Sequence, residues 1–341
     1  MAKRRMPRLD IQPVPRAVFV QLDRWTKSWM YHLAIKETHG VAVRIVGATL
    51  DVMGKDGLLR RDVYDEARIA QRLKPMTVMR HWLRPSGYER KGSSRIPANG
   101  ERRMCDLFYR HHKTLPATMV RHVFRCENEK GKTFRVRFGL PLMESTQRTR
   151  LRLPFRGRWI MALGFEFFEH HGRGGGLGND FVRLGPDSLP FRGKGMRLSD
   201  WYCFGEPVLA PADGIVRAVR RDSRDNVPLR PVRDRGDFNY IHMEHPHNEQ
   251  TFLAHLKHNT ICVEVGQKVQ EGQVLGECGN TGITTVCPHI HLGFRVGPHP
   301  VPPVFHDLQT FYPVELEDRI YAPGSVMKKG VLRHGQIVEN G

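Results

Sequence analysis

Long apolar runs are missing from this 341-residue chain. No uninterrupted apolar stretch reaches the ~18 residues of a membrane-spanning helix, so such a helix is excluded. The basic start, Met1-Ala2-Lys3-Arg4-Arg5-Met6-Pro7-Arg8, leads into no apolar segment, and a secretory signal is not expected. The six cysteines, Cys105, Cys126, Cys203, Cys262, Cys278 and Cys287, nowhere show C-x-x-C spacing. That argues against a zinc finger and against a dense disulfide framework. Internal repeats, low-complexity tracts and amphipathic helical periodicity are also scarce. Acidic residues are sparse in the first half. Residues 1–150 hold 32 Lys and Arg against 14 Asp and Glu, a net +18, and the remainder is +1. Charge so segregated points to a polyanionic partner for the first half: nucleic acid, anionic lipid headgroups or anionic wall polymer. A merely basic soluble surface is the plain alternative. No aromatic-basic motif favours nucleic acid, since Trp25, Trp29 and Trp82 fit a core equally well.

What is present reads as mainly β. Residues 1–15 are expected to be a flexible basic lead-in. From 16 to 146 the pattern is mostly strand-like, and Val41, Val43 and Ile45 alternate in one run. Phe134, Val136 and Phe138 alternate with Thr133, Arg135 and Arg137, the mark of a half-buried strand. Turn signals at Lys55-Asp56-Gly57, Ala98-Asn99-Gly100 and Glu129-Lys130-Gly131 punctuate the set, and a helix-compatible piece lies near Tyr64–Leu73. A basic β-sandwich-like domain is expected, with arginines on exposed strand faces. Cys105 and Cys126 could pair across it. Gln147–Arg152 reads as a linker, and 153–315 as a second β-rich domain. Within that domain Ala212-Asp213-Gly214 is expected to turn a hairpin between 207–211 and 215–220. Further strands are expected at 240–244, 251–256, 273–276 and 290–296. Residues 316–341 read as an irregular tail.

The chemistry-bearing residues lie in the second half. Eleven of eighteen histidines fall between 170 and 306. In Cys287-Pro288-His289-Ile290-His291-Leu292 two imidazoles stand two apart in a strand-like run, so both leave one face. That arrangement offers two nitrogen donors to a metal, or one ligand and one base. His-x-His pairs are common on surfaces, and alone it decides little. Ala254-His255-Leu256 places one histidine among apolar neighbours, ordinarily a satisfied core residue. His170-His171 precedes Gly172-Arg173-Gly174-Gly175-Gly176 and then Asn179-Asp180. The glycines let the loop double back so that histidine and aspartate can reach one point, although a flexible surface loop fits as well. His111, His112, His242, His245, His247 and His258 read as surface or strand-edge groups. Taken jointly, the singled-out residues supply three metal ligands and two spare imidazoles, and three ligands with an open position suit catalytic zinc.

Several segments then resemble one family, the lysostaphin-type zinc endopeptidases that hydrolyse cell-wall peptidoglycan. Glu206-Pro207-Val208-Leu209-Ala210-Pro211-Ala212-Asp213-Gly214-Ile215-Val216 is similar to the hairpin that follows the family's first ligands. Thr251-Phe252-Leu253-Ala254-His255-Leu256 resembles its tyrosine-alanine-histidine-leucine strand. Residues 265–276 continue the likeness, and Gly279-Asn280-Thr281-Gly282 with Pro288-His289-Ile290-His291 resembles the closing motif. The resemblance covers about 155–300. It implies a lysostaphin-type metallopeptidase domain with one zinc ion held by His171, Asp180 and His291, and His255 and His289 as catalytic non-ligands. His171 and Asp180 stand nine apart where the family's commonest motif has four, Asp180 and Glu206 are 26 apart, and Cys287 precedes the final motif. His170 competes with His171 for the first ligand.

The resemblance further implies peptidoglycan peptides as substrate and a cell-envelope location, with the basic first domain held against anionic wall polymer or membrane. Zinc lowers the pKa of bound water from about 15.7 to about 7. His255 or His289 could take the proton, the other could bind the oxyanion, and loops 182–204 and 221–238 would line the groove. A second reading is a catalytically inactive member acting as a binding or regulatory module. A third, a biotinyl or lipoyl carrier, lacks the required lysine at its turn, which here is Asp213-Gly214.

Overall fold

The computed structural model describes residues 9–14, 18–22, 26–75, 92–144, 147–163, 178–186, 189–230, 237–282, 287–311, 325–332 and 336–340. The chain divides into two compact units, Met1–Ser145 and Thr146–Gly341.

Among its described residues the first unit has ten strands: β1 (Leu9–Val14), β2 (Val18–Leu22), β3 (Thr26–Glu37), β4 (Val43–Gly54), β5 (Gly57–Asp65), β6 (Leu73–Pro75), β7 (Arg95–Ile96), β8 (Glu101–His112), β9 (Ala117–Asn128) and β10 (Thr133–Glu144). One short helix, α1 (Glu66–Arg72), follows β5. The Asp65 side chain caps it by accepting from the Arg68 N–H at 2.8 Å, and Ile69 is its only buried residue. The strands run in the order β5-β4-β9-β10-β2-β3-β8-β6, with β1 on β3 and β7 on β4. β10 alternates as expected: Phe134, Val136 and Phe138 pack on the core while Arg135 and Arg137 face solvent. The sheet folds over on itself. Tyr31 of β3 and His122 of β9 meet at 2.7 Å although β10 and β2 lie between their strands in the hydrogen-bonded order. Trp29, Tyr31, Leu33 and Ile35 of β3 and Ile45, Leu50 and Val52 of β4 fill the enclosed core together with Phe124. This is the β-sandwich-like architecture expected, with two differences. Leu9–Val14, expected to be a loose lead-in, is a strand paired along its length with β3. Cys126 is a buried free thiol pushed up to about 12 by desolvation, so it forms no bridge to Cys105.

The second unit contains β11 (Trp159–Leu163), β12 (Gly178–Arg183), β13 (Pro207–Leu209), β14 (Gly214–Arg220), β15 (Tyr240–His245), β16 (Glu249–Ala254), β17 (Lys268–Val269), β18 (Val274–Glu277), β19 (Ile290–Val296), β20 (His299–Pro300), β21 (Val304–Phe311), β22 (Ser325–Val331) and β23 (Ile337–Asn340). An antiparallel sheet follows the order β17-β14-β15-β16-β19-β12-β11-β23-β21-β22, with β20 on β19, and β13 pairs separately with β18.

Three expectations are corrected here. Ala212-Asp213-Gly214 does not close a hairpin: β13 pairs with β18, whereas β14 pairs with β15 and β17. The turn chemistry was legible, but the strands it joins belong to different sheets. The expected irregular tail supplies β22 and β23, whose partners are β21 and β11. The expected linker is anchored, because the buried Glu249 carboxylate accepts from the N–H groups of Arg148 and Thr149 at 2.6 and 2.7 Å.

Candidate metallohydrolase site

The central strands β16, β19 and β12 place the site. In register, His291 of β19 lies between Ala254 of β16 and Asp180 of β12. Direct cross-strand neighbours share a face, so Asp180 and His291 project together. Asp180 Oδ1 is 2.9 Å from His291 Nδ1. Two residues upstream, His289 leaves the chain on the same side, and its Nε2 is 3.8 Å from Asp180 Oδ2. Asp180, His289 and His255 are all nearly inaccessible to solvent.

His255 needs a different explanation. Its neighbour Ala254 stands opposite His291, so a continued strand would send His255 to the other face of the sheet. Instead His255 has φ +66°, a left-handed conformation that costs a non-glycine residue about 1 kcal/mol or more. The kink aims its ring back at the cluster, 4.6 Å from His289 and 5.8 Å from His291 between centroids. Such strain at a convergence of titratable groups is characteristic of functional sites.

Backbone carbonyls fix both non-ligand candidates. His255 Nδ1 donates to Thr281 O at 2.6 Å, and His289 Nδ1 donates to Cys287 O at 2.8 Å. A carbonyl only accepts, so each neutral ring keeps its proton on Nδ1 and presents a lone pair at Nε2. Burial holds the His255 imidazole well below the ordinary histidine pKa, reinforced by His289 and His291, against the opposing pull of Asp180. Among the described residues His289 Nε2 is buried with no hydrogen-bond partner, an arrangement that costs free energy unless something else occupies the space before it.

Glycines supply clearance at two points. A Cβ on Gly178 would lie 2.2 Å from His291 Cε1, and one on Gly282, at φ +117°, would meet Phe238 Cβ and His255 Nδ1 at 3.0 and 3.1 Å. Phe238 walls His255 at 5.6 Å, and Phe252 meets the His291 ring edge-on at 6.4 Å. A second ring of polar groups holds the 279–282 segment. Asn239 donates to Leu256 O, its N–H donates to Thr281 Oγ1, and Asn226 donates to Gly282 O.

Of the sequence-derived site residues, Asp180, His255, His289 and His291 are brought together. His171 and its competitor His170 lie outside the described residues. Among the described residues no group of three or more His, Cys, Asp or Glu side chains is arranged to hold a metal ion. One histidine was misread. His245 is a buried residue, not a surface group: its Nδ1 donates to Asp213 O at 2.7 Å and its Nε2 meets Thr251 Oγ1 at 2.9 Å. Gly178, Thr281, Phe238 and Asn239 were missed as site supports. Only the glycine-rich closing motif hinted at one of them.

Residues 195–303 match the family model described as peptidase family M23, and the chain therefore carries a peptidase M23 domain. An uncharacterized metalloprotease of Haemophilus influenzae is 34% identical over 100 residues, 29% of this chain and 18% of that protein. The peptidoglycan DD-endopeptidase ShyA of Vibrio cholerae is 36% identical over 161 residues, 46% of this chain and 30% of that protein. The chain thus spans less than a third of the length of these curated relatives. Among solved structures, the catalytic domain of the prophage-encoded M23 protein EnpA from Enterococcus faecalis is 21% identical, covering 36% of this chain and 72% of that one at a TM-score of 0.25. The catalytic domain of lysostaphin from Staphylococcus simulans is 21% identical, covering 35% and 66%, at a TM-score of 0.23.

Proposed function

We propose that this protein is a zinc-dependent endopeptidase that hydrolyses peptide cross-links of bacterial peptidoglycan. The observation that carries the reading is the convergence of Asp180, His291, His289 and His255 on one buried face, with His255 bent out of its strand to join. The donor set fits zinc. An oxygen of Asp180 and a nitrogen of His291 face each other, both suited to that ion, beside the unpartnered Nε2 of His289. His171, or His170 in its place, would complete the ligands. When bound, zinc would supply Lewis-acid polarisation of the scissile carbonyl and a more acidic water.

The remaining work falls to the protein's own groups. His255 and His289 each present an unprotonated Nε2, the atom that can accept the proton of the attacking water. With the rings 4.6 Å apart between centroids, one would take the water's proton at Nε2, and the other, when it carries a proton at Nε2, would donate to the developing oxyanion. The Thr281 and Cys287 carbonyls keep both rings in the required tautomer, and Phe238 excludes water beside His255.

Metal analysis of the purified chain, followed by digestion of defined muropeptides, tests the reading. One zinc per chain and cleavage lost in Asp180→Ala and His291→Ala are expected. Full cleavage by a zinc-free Asp180→Ala protein would defeat it. Equilibrium dialysis that finds no stoichiometric zinc would favour a non-catalytic binding module instead.

The first unit is proposed to hold the enzyme against an anionic wall polymer or membrane surface, which places it in the cell envelope. No described helix is long and apolar enough to cross a membrane. Arg125 of β9 stands directly opposite Arg135 of β10, and Arg137 shares their exposed face. Like charges so paired repel. The nearby carboxylates are engaged elsewhere, Asp51 by Arg61 and Arg121, and Glu127 by Arg44. An anionic polymer would relieve that repulsion. Replacing the three arginines by alanine should weaken retention on wall polymer and flatten its salt dependence. Stronger, steeper retention on DNA would reassign the partner.

A further inference from the structure

Three buried free thiols lie beside the histidine cluster and take no part in the proposed hydrolysis: Cys203, Cys278 and Cys287. The chain ties two of them together through its backbone. The Cys278 N–H donates to Glu206 O and its carbonyl accepts from the Gly205 N–H, both at 2.8 Å, while the Glu206 N–H donates to Cys203 O at 3.1 Å. Cys278 therefore runs alongside the turn that starts at Cys203, which brings the two buried thiols into the same neighbourhood, where each influences the other electrostatically. The Cys203 thiol also donates to Pro288 O at 3.1 Å, the carbonyl just ahead of His289. Cys278 itself leads into Gly279-Asn280-Thr281, whose last carbonyl holds His255. The pair thus sits between the supports of both non-ligand histidines.

We propose that Cys203 and Cys278 are a disulfide-forming pair, a covalent staple between the 201–206 turn and the segment that carries Thr281. The oxidant is a small-molecule or protein disulfide of an oxidising compartment. The thiolate of one cysteine attacks its S–S bond, releasing one thiol and leaving a mixed disulfide. The second cysteine then attacks the protein sulfur of that bond and releases the second thiol. Two S–H bonds are lost, one S–S bond forms, and the oxidant is reduced to two thiols. Desolvation, with help from the neighbouring thiols, raises the Cys278 and Cys287 pKa values well above the usual range. The closed site therefore exchanges slowly, and the bond forms while the region is open, during folding or local unfolding. The oxidised protein loses the Cys203 S–H bond to Pro288 O and gains a fixed span behind His255. This proposal stands apart from the hydrolase reading, because its readout is peptide mass rather than cleavage.

The test uses the full chain, equilibrated with oxidised glutathione in urea below the unfolding midpoint, then alkylated in denaturant and digested without reductant. A peptide linking Cys203 to Cys278, lighter by two hydrogens than the sum of its parts, with Cys287 alkylated, is the expected result. The exposed Cys262 serves as the internal control for the oxidant. Cys203 and Cys278 both alkylated while Cys262 carries glutathione would overturn the proposal, and so would a Cys203–Cys287 link. Oxidation should also raise the thermal midpoint of the wild-type chain. Cys278→Ala, and separately Cys203→Ser, should abolish that rise, so a folding failure in one variant leaves the other as the test. A rise that persists in either variant would count against the assigned pair.

Discussion

The buried carboxylates of the first unit and Asp180 of the second are surrounded in opposite ways, although Glu249 of the second unit, held by two backbone N–H groups, follows the first unit's pattern. In the first, Glu37 accepts from the N–H groups of His39, Gly40, Val41 and Asn99, and Asp51 accepts from the guanidinium groups of Arg61 and Arg121. These bonds hold both carboxyls below the usual carboxylate range, and burial opposes them. In the second, the buried Asp180 faces two imidazoles, one of which keeps an unpartnered nitrogen. A carboxylate ringed by N–H donors that can only donate is committed to structure. One that faces groups able to gain or lose a proton is available for chemistry. The histidines differ in company. His122 packs between the Tyr31 hydroxyl and a stacked Phe138 ring at 4.2 Å, while the His255 and His289 rings face each other at 4.6 Å beside Asp180.

The contrast breaks most sharply at the ligands. His255→Ala should keep zinc yet lower peptide cleavage by about 10²–10⁴-fold, the usual span for a lost general base or acid, whereas Asp180→Ala should lose both metal and cleavage. A zinc-free His255→Ala protein would merge the two roles. Next in size is Gly178→Ala, whose Cβ would sit on the His291 ring. A displacement near 1 Å costs about 10²-fold in rate, and kinetics on a muropeptide with unchanged far-ultraviolet circular dichroism would show it.

Two smaller effects concern the first unit and should leave hydrolysis untouched. Burial lowers the His122 pKa from 6.5 to about 3. The unfolded chain then takes up a proton near pH 6.5 that the folded chain refuses until about pH 3. Stability from this group is full above pH 6.5 and falls as pH drops through that window, by about 1.4 kcal/mol per pH unit. Urea melts at pH 7 and pH 5 should differ accordingly, and His122→Phe should flatten the difference. His111 is shifted in the same direction and leaves a residual slope. The smallest effect is Asp65→Ala, which removes the cap of α1 and should cost about 1 kcal/mol in the same melts.

Much of this was legible from local pattern. The strict alternation in β10 gave its inward and outward faces, and the Tyr64–Leu73 piece became α1 with Asp65 as its cap. The run at 290–296 coincides with β19, because a buried central strand flanked by turn residues leaves few other options. Pairing partners were not legible. Ala212-Asp213-Gly214 has hairpin chemistry, yet it separates strands of two sheets, since turn residues report a local change of direction and not which edge receives the chain. The strands at 325–331 and 337–340 were missed because edge and closing strands draw their order from partners far away in sequence. His245 was misread because its partners, Asp213 O and Thr251 Oγ1, give no signal beside it in the chain.

By itself the sequence determined the inventory: which side chains can carry charge, which faces can be buried, and that His289 and His291 leave a strand together. Those properties follow from side-chain chemistry and the two-residue period of extended backbone, both local. Only the tertiary structure decided that Asp180 stands opposite His291 and that a left-handed residue turns His255 toward them. It also decided that Cys278 lies against Cys203. Register between distant strands is set by the packing of the whole sheet, and no window of neighbouring residues encodes it.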